Sequence, residues 1–400
     1  MTTYHSSPKH PNDACIVSII RTPLCKAKKG KLAQIPPSTL LSTTFRAILQ
    51  QSPIQGSDID DICVGNVLSP ASGAAAMRMA ALEAGLPHQV SLSTTNRQCS
   101  SGLQAVANIA HAINAGSIRI GIGAGVESMS THPMNSIPMP DVDWDLMQKC
   151  PEAMDCLIPM GVTSENVSKR YGQTREQLDT FAVQSHQRAA MAQAEGKFIP
   201  EIIPVGNIDK DDGIRPNTTL ESLSKLKPVF QKNGTTTAGN ASQMTDGAAS
   251  ILLMSRSEAE KRNIPILACF RAYDVVGVPP NIMGIGPAVA IPRLLQKSNL
   301  KISDIHLYEI NEAFASQALY SIERLNINPN VVNVNGGAIA LGHPLGCTGA
   351  RQIVTLLHEM KRRDFHQSPY CVVSMCIGTG MGAAALLEVE DGLYKLISKL

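Results

Sequence analysis

Short β-branched runs alternate with longer helical patterns along this chain, and the same alternation restarts in its last third. The first series reads ACIVSII (14 to 20), STLLSTTFRAILQQ, DICVGNVL (61 to 68), AAAMRMAALEAG, VSLSTT and a helix after Cys99. The second reads IHLYEI (305 to 310), a helix from Glu312 to Leu325, a helix from about Cys347 to Arg362 and the strand YCVVSMC (370 to 376). Strands separated by helical patterns build βαβ units, in which the connecting helices cover a mostly parallel sheet. Two such α/β blocks are expected.

An internal comparison relates the two blocks. Ser57-Asp58-Ile59, ahead of a strand ending near Asn66, matches Ser303-Asp304-Ile305, ahead of a strand ending at Asn311, at an offset of 246. The segment Cys99 to Gln104 matches Cys347 to Gln352 at 248, and Ala124 to Met129 matches Cys376 to Met381 at 252. Three matches in one order at nearly one offset predict a duplicated half. Residues 125–244 break the pattern: they hold the sole Trp, the run HPMNSIPMP, one helix over Thr174 to Glu195 and the charged DKDDGIRPNTTLESLSKLKP. They read as an inserted loop-rich subdomain, where function tends to concentrate. The expected organisation is 1–124 as one half, completed by about 245–271, then 125–244 as the insert, with 272–400 as the second half and its tail.

Composition narrows the function. A 44% hydrophobic content supports buried cores, and 35 Lys+Arg against 33 Asp+Glu give no general attraction to nucleic acid or membrane surfaces. Seven Phe, seven Tyr and one Trp leave little for base-stacking platforms. The ten cysteines form no CxxC pair and follow no apolar signal segment, so a reducing compartment is expected. The longest uncharged stretches, Gln98 to Ile118 and Pro329 to Ala350, are rich in Asn, Ser, Gly, Pro and His, which predicts no membrane span. The first fifteen residues are polar, lack the features of a mitochondrial presequence and read as a loose tail.

Four segments carry candidate chemistry, each at the end of an expected strand. Cys99 sits where VSLSTT hands over to a helix with apolar residues at Leu103, Val106, Ala107, Ala110 and Ile113. Unpaired N–H groups and the positive helix end favour a thiolate there; the alternative is a small buried hydrophobe. The loop from Gly336 to Gly346 presents His343 from a glycine-dense backbone open to close approach by a ligand, or else is a tight turn with an incidental histidine. Cys376 lies beside Gly378, Gly380 and Gly382, while Asn311 and Glu312 stand where helix caps would serve without any function. Open α/β sheets bind ligands at such strand ends, so the conjunction points to one site.

NRQCSSGLQAV, GVESMS, NEAFA, GGAIALGHPLGCTGAR and CIGTGMGAA, in this order and spacing, resemble the thiolase family from about Cys15 to Glu388. CLIPMGVTSENV, DDGIRPNTTLESLSKLKPVF and TTTAGNASQMTDGAA are similar to the peroxisomal-type 3-ketoacyl-CoA thiolases of that family. The resemblance implies a five-layered αβαβα fold and CoA-dependent cleavage of 3-ketoacyl-CoA to acetyl-CoA and a shortened acyl-CoA in fatty acid β-oxidation. It implies Cys99 as nucleophile, His343 as its base and Cys376 as the second thiol, which protonates the departing carbanion. Asn311, through a water and with His343, would serve one oxyanion hole, and the N–H groups of Cys99 and Gly378 the other. Arg215, Leu226 and Ser242 match positions that contact CoA, with Met160, Ala313 and Phe314 along the pantetheine path. CoA enters as a substrate; no metal and no tightly bound cofactor are implied, and a homodimer is expected. Pro159 stands where biosynthetic acetoacetyl-CoA thiolases carry His, which favours a degradative enzyme tolerant of chain length.

The competing readings are an acetoacetyl-CoA thiolase, a decarboxylating condensing enzyme and a catalytically silent acyl-CoA carrier. Cys376 in its CIGTG setting disfavours the second, and the presence of all four chemical residues disfavours the third. Ser398-Lys399-Leu400 matches the C-terminal tripeptide read by the peroxisomal import receptor, which predicts a peroxisomal location.

Overall fold

The structure, a computed structural model, describes residues 8–136, 138–363 and 369–390. Ser398-Lys399-Leu400 lies outside the described residues. The strands that frame the molecule are β1 (Ala14–Arg21), β2 (Asp61–Gly65), β3 (Ser91–Thr95), β4 (Ile120–Ser128), β5 (Thr245–Ser255), β6 (Ala268–Gly277), β7 (Ile305–Ile310), β8 (Tyr370–Ile377) and β9 (Met381–Val389). The principal helices are α1 (Pro37–Gln51), α2 (Ala74–Glu83), α3 (Ser101–Asn114), α4 (Met160–Tyr171), α5 (Arg175–Ala194), α6 (Gly286–Lys297), α7 (Ala315–Arg324) and α8 (Thr348–Lys361). The expected elements outside the insert fall within a few residues of these bounds.

The strands run in the order β3-β2-β4-β5-β1-β6-β9-β8-β7, which divides into two copies of one arrangement. In the first, β2 is parallel to β4, which is antiparallel to β5, which is antiparallel to β1. In the second, β7 is parallel to β8, which is antiparallel to β9, which is antiparallel to β6. Even the edge is echoed: β3 pairs with β2 in parallel, and Val332 bridges Tyr308 of β7 in parallel. The offset motifs of the sequence therefore occupy equivalent places in two halves of like topology.

Burial on both sheet faces explains the continuous apolar strands, since every residue of β4 and β5 is buried. Leu103 and Val106 of α3 and Ile353, Val354 and Leu357 of α8 share one core with Leu253 of β5 and Val373 of β8. A second core joins Leu40 and Phe45 of α1 and Met77 of α2 to Ile62 and Ile122. A third joins Leu294 of α6 and Ile322 of α7 to Tyr308, Val372 and Leu386. These three cores stack α1/α2, one sheet, α3/α8, the other sheet and α6/α7, which makes five layers. In the central layer the helices touch backbone to backbone: a Cβ on Gly102 would lie 2.6 Å from Gly346 O, so only glycine permits the approach.

The insert holds the expected helix, α5, and a further one, α4; β4 continues to Ser128, past residue 124, and the expected boundary at 271 falls inside β6, which pairs with β9 of the second half. The insert is fastened by a buried ion cluster. Arg21 at the end of β1 is fully buried and reaches Asp211 at 2.7 and 2.8 Å and Glu201 at 2.6 Å, while Thr355 of α8 also donates to Glu201 at 3.2 Å. The described part of the first fifteen residues is not a loose tail. Asp13 pairs with Arg256 at 3.1 Å and Arg271 at 2.9 Å, and Lys9 pairs with Glu390 at 2.9 Å. Among the described residues no helix is long and apolar enough to cross a membrane.

Candidate active site

Cys99 is displayed by a tight turn between β3 and α3. The Asn96 side chain accepts the Gln98 N–H at 3.0 Å, and the Ser101 hydroxyl accepts the Arg97 N–H at 2.9 Å while donating to Gln98 O at 2.7 Å. Gln98 is thereby held at φ 47°, a region unfavourable for a non-glycine residue. Thr379, one residue beyond Gly378, is held similarly at φ 67°. Strain thus sits beside both thiol-bearing turns. The Cys99 sulfur is half-buried and receives the N–H of Gly378 and its own N–H. The thiolate expected from the helix start does not follow. Burial is the largest influence and outweighs both donors, and the charge of Glu127 adds to it, so the pKa is pushed up to about 11. Cys99 rests as a thiol at neutral pH.

The His343 ring has a defined tautomer. His343 is buried in the 336–346 loop, where its N–H donates to Gln243 O at 3.1 Å. Its Nε2 meets Asn311 Nδ2 at 3.3 Å, and its Nδ1 meets Thr348 Oγ1 at 2.6 Å. The amide nitrogen only donates, so Nε2 carries the lone pair and Nδ1 the proton. Thr348 accepts that proton and passes its own to Pro344 O at 3.0 Å. Burial, and then the Arg351 guanidinium, lower the His343 pKa to about 3, so the ring is neutral at pH 7. Asn311 is also buried, its carbonyl accepts Gln317 Nε2 at 2.9 Å, and its Oδ1 has no partner within the described chain. The capping role open to Asn311 and Glu312 is not the one found. α7 begins only at Ala315, and Glu312 is buried, accepting from Ser185 at 2.6 Å, Asn333 at 2.8 Å and Ile339 N–H at 3.2 Å.

Cys376, at the end of β8, is fully buried against Met283 and Ala313, with Met160 and Phe314 packed on that cluster. Burial holds its pKa well above the ordinary thiol value, and the neighbouring Cys99 raises it further, which places the two sulfurs within electrostatic reach. Ser242 joins the same wall through its N–H to Ala313 O at 3.0 Å. Arg215 and Leu226 are exposed on the insert; the Arg215 N–H donates to His186 Nδ1 at 3.2 Å, and Leu226 O accepts from Arg175 at 3.0 Å.

Two residues of the site escaped the sequence reading. Phe230 stands edge-on to Phe314, ring centres 6.4 Å apart, and lies against Gly161, where a Cβ would strike its ring. Glu127 is buried beneath the His343 loop. One of its oxygens accepts the N–H of Gly346 at 2.9 Å and of Val67 at 3.1 Å, and the other accepts Leu68 N–H and Asn66 Nδ2, both at 3.2 Å. Burial raises its pKa to about 7. It ties the ends of β2 and β4 to the histidine loop, a role that the motif GVES gave no means of reading because the partners are mostly backbone.

A duplicated α/β fold that brings two thiols within electrostatic reach, with a buried neutral imidazole and N–H donors on one sulfur, suits covalent acyl transfer. Residues 14–257 match the thiolase N-terminal domain and residues 264–389 the thiolase C-terminal domain; the chain belongs to the thiolase family. It is 54% identical to the peroxisomal 3-ketoacyl-CoA thiolase of Homo sapiens, over 94% of this chain and 91% of that one. It is 52% identical to peroxisomal 3-ketoacyl-CoA thiolase 2 of Arabidopsis thaliana, over 98% and 87%. The dimeric peroxisomal thiolase of Saccharomyces cerevisiae superposes with a TM-score of 0.91 at 45% identity, covering 96% of this chain and 99% of that one.

Proposed function

We infer that the chain cleaves 3-ketoacyl-CoA with CoA to acetyl-CoA and an acyl-CoA two carbons shorter, in fatty acid β-oxidation. The observation that carries this reading is that the fold brings Cys99 within electrostatic reach of a second, buried thiol, Cys376. His343 Nε2 takes the Cys99 proton as the sulfur attacks the 3-keto carbon. The oxygen at that carbon takes up negative charge, and in this reading the N–H groups of Cys99 and Gly378, which reach the Cys99 sulfur, donate to it. The C2–C3 bond breaks, its electron pair passes into the thioester as an enolate, and the imidazolium of His343, with Asn311, stabilises that oxygen. The Cys376 thiol then gives its proton to C2, releasing acetyl-CoA and leaving the shortened acyl group on Cys99. In the second half, the Cys376 thiolate deprotonates incoming CoA, whose sulfur attacks the acyl carbon and expels Cys99. A neutral His343 and thiols of high pKa suit this sequence, because each proton moves only as its bond forms.

Met160, Ala313, Phe314 and Ser242 form an apolar wall with one placed polar group, as a pantetheine arm requires. Arg215 and Leu226 on the 125–244 insert complete the CoA path in this reading, and CoA is a substrate rather than a resident cofactor. The assembly is a homodimer, supported by the dimeric yeast relative. The location is the peroxisome, supported by the relatives' names and by Ser398-Lys399-Leu400, to which the import receptor binds. The deciding assay measures CoA-dependent acetyl-CoA release from 3-ketoacyl-CoA substrates of four to sixteen carbons. Release from the longer substrates is expected; activity confined to the four-carbon substrate would assign an acetoacetyl-CoA thiolase instead.

A further inference from the structure

Away from the catalytic edge the fold brings a second pair of thiols together. Cys15 of β1 and Cys269 of β6 are register partners, both fully buried, with their Sγ atoms 3.4 Å apart. Their strands pair at Cys15–Cys269 and Ile16–Ala268, which is the seam where the sheet of one half continues into the other. Antiparallel partners have Cα atoms about 4.5–5.5 Å apart, within the roughly 4.4–6.8 Å that a disulfide spans. Side-chain rotation alone would therefore bring the sulfurs to bonding distance.

The surroundings supply a cation and a chain of polar partners. Arg256 Nη2 donates to Cys269 Sγ at 2.8 Å and to Glu390 at 2.6 Å. Glu390 is 3.6 Å from the same sulfur and also binds Lys9, whose side chain is 59% exposed. A line of polar contacts thus runs from the sulfur to the surface. The hydrogen bond with Cys15, and then burial, raise the Cys269 pKa, so this thiol holds its proton until a neighbour takes it.

We propose that Cys15 and Cys269 close to a reversible disulfide across the seam when the protein meets hydrogen peroxide. One thiolate attacks a peroxide oxygen; the O–O bond breaks, and the hydroxide released takes up a proton, leaving a sulfenic acid and water. The second sulfur attacks the sulfenic sulfur, the S–O bond breaks, the S–S bond forms and a second water leaves. Two thiols and one peroxide give one disulfide and two waters. The bond joins strands of different halves, so it staples the halves together without using a residue assigned to catalysis.

The test treats the native full chain with hydrogen peroxide, quenches in acid, unfolds it in alkylating reagent and maps the peptides by mass spectrometry. The expected product is the Cys15 peptide joined to the Cys269 peptide with the loss of two hydrogens, released by dithiothreitol. Thermal unfolding should shift upward on oxidation, on the order of 5 °C, in wild type and in a Cys99→Ser/Cys376→Ser protein, but not in Cys15→Ser. Recovery of both residues as alkylated thiols after oxidation would overturn the proposal, as would an equal thermal shift in Cys15→Ser. If Cys15→Ser fails to fold, the wild-type peptide map decides alone.

Discussion

Replacing His343 with alanine isolates the acidity of Cys99 from the help it receives. With a pKa of about 11, roughly one Cys99 in 10⁴ is thiolate at pH 7, against about three in 100 for an unperturbed thiol of pKa ~8.5. The more basic thiolate is the better nucleophile, which with a Brønsted slope of about 0.4–0.5 returns roughly tenfold. Unassisted, Cys99 should therefore react with iodoacetamide about 20- to 30-fold more slowly than free cysteine at pH 7. General-base assistance contributes roughly 10²–10⁴. His343→Ala should accordingly slow Cys99 alkylation at pH 7 by at least about 10². The pH profiles should separate as well. His343, with its pKa of about 3, is a base throughout pH 5 to 8, so the wild-type rate should be nearly flat there. In the variant the rate should climb about tenfold per unit from pH 7 to 10, because each unit multiplies the thiolate by ten until the pKa near 11 is approached. The rate is read by quenching timed samples and quantifying the carbamidomethylated Cys99 peptide, with circular dichroism confirming the fold. Equal rates at pH 7, or a flat profile in the variant, would refute both the raised thiol pKa and the activating histidine.

The remaining expectations follow from the same geometry. Cys376→Ser should leave Cys99 alkylation near the wild-type rate while turnover falls roughly 10²–10⁴-fold, as measured in parallel labelling and steady-state assays. Arg215→Ala should raise the KM for CoA roughly fivefold with little change in kcat, because an exposed contact remote from the breaking bond acts alike in ground and transition states. Asp211→Ala strips Arg21 of its bidentate partner in a fully buried setting and should cost about 3–5 kcal/mol, read from denaturant unfolding against wild type. Deleting Ser398 to Leu400 should leave an active protein in the cytosol; import that survives the deletion would assign the targeting to another signal or a co-imported partner.

The elements that were legible in the sequence are those set by local periodicity. Alternation and β-branching marked the strands from ACIVSII to YCVVSMC, and the apolar spacing of Leu103, Val106 and Ala110 marked α3 and its buried face. Cys99, Asn311 and Cys376 stand at or just beyond strand ends, as the motifs suggested, whereas His343 follows a short helix, Ala338–Leu341, and not a strand. What the sequence withheld depends on partners far along the chain. Glu312 looks like a cap until Ser185, Asn333 and Ile339 close around it, and Glu127 looks like surface charge until Gly346 arrives from 219 residues away. The acidity of Cys99 was misread for the same reason. Two N–H donors and a helix start are local features, whereas the desolvation that outweighs them comes from burial created by the whole fold.

Duplication gives those long-range effects a simple logic. α3 and α8 are equivalent helices, packed so closely at their first turns that Gly102 admits no Cβ against Gly346. One half uses its turn to strain Gln98 and present the Cys99 thiol; in the other, Cys347 stands at the matching position and the next residue, Thr348, accepts the Nδ1 proton of His343. The ends of β4 and β8 also carry different groups: Glu127, which braces the histidine loop, and Cys376, which matches Ala124. Each half thus supplies one thiol-bearing turn, and each also supports the group displayed by the other: Gly378 donates to Cys99, and Glu127 anchors Gly346. Neither half holds the full constellation, so the proposed reaction, which uses two thiols and one imidazole, requires the copies to stay docked through their central helices.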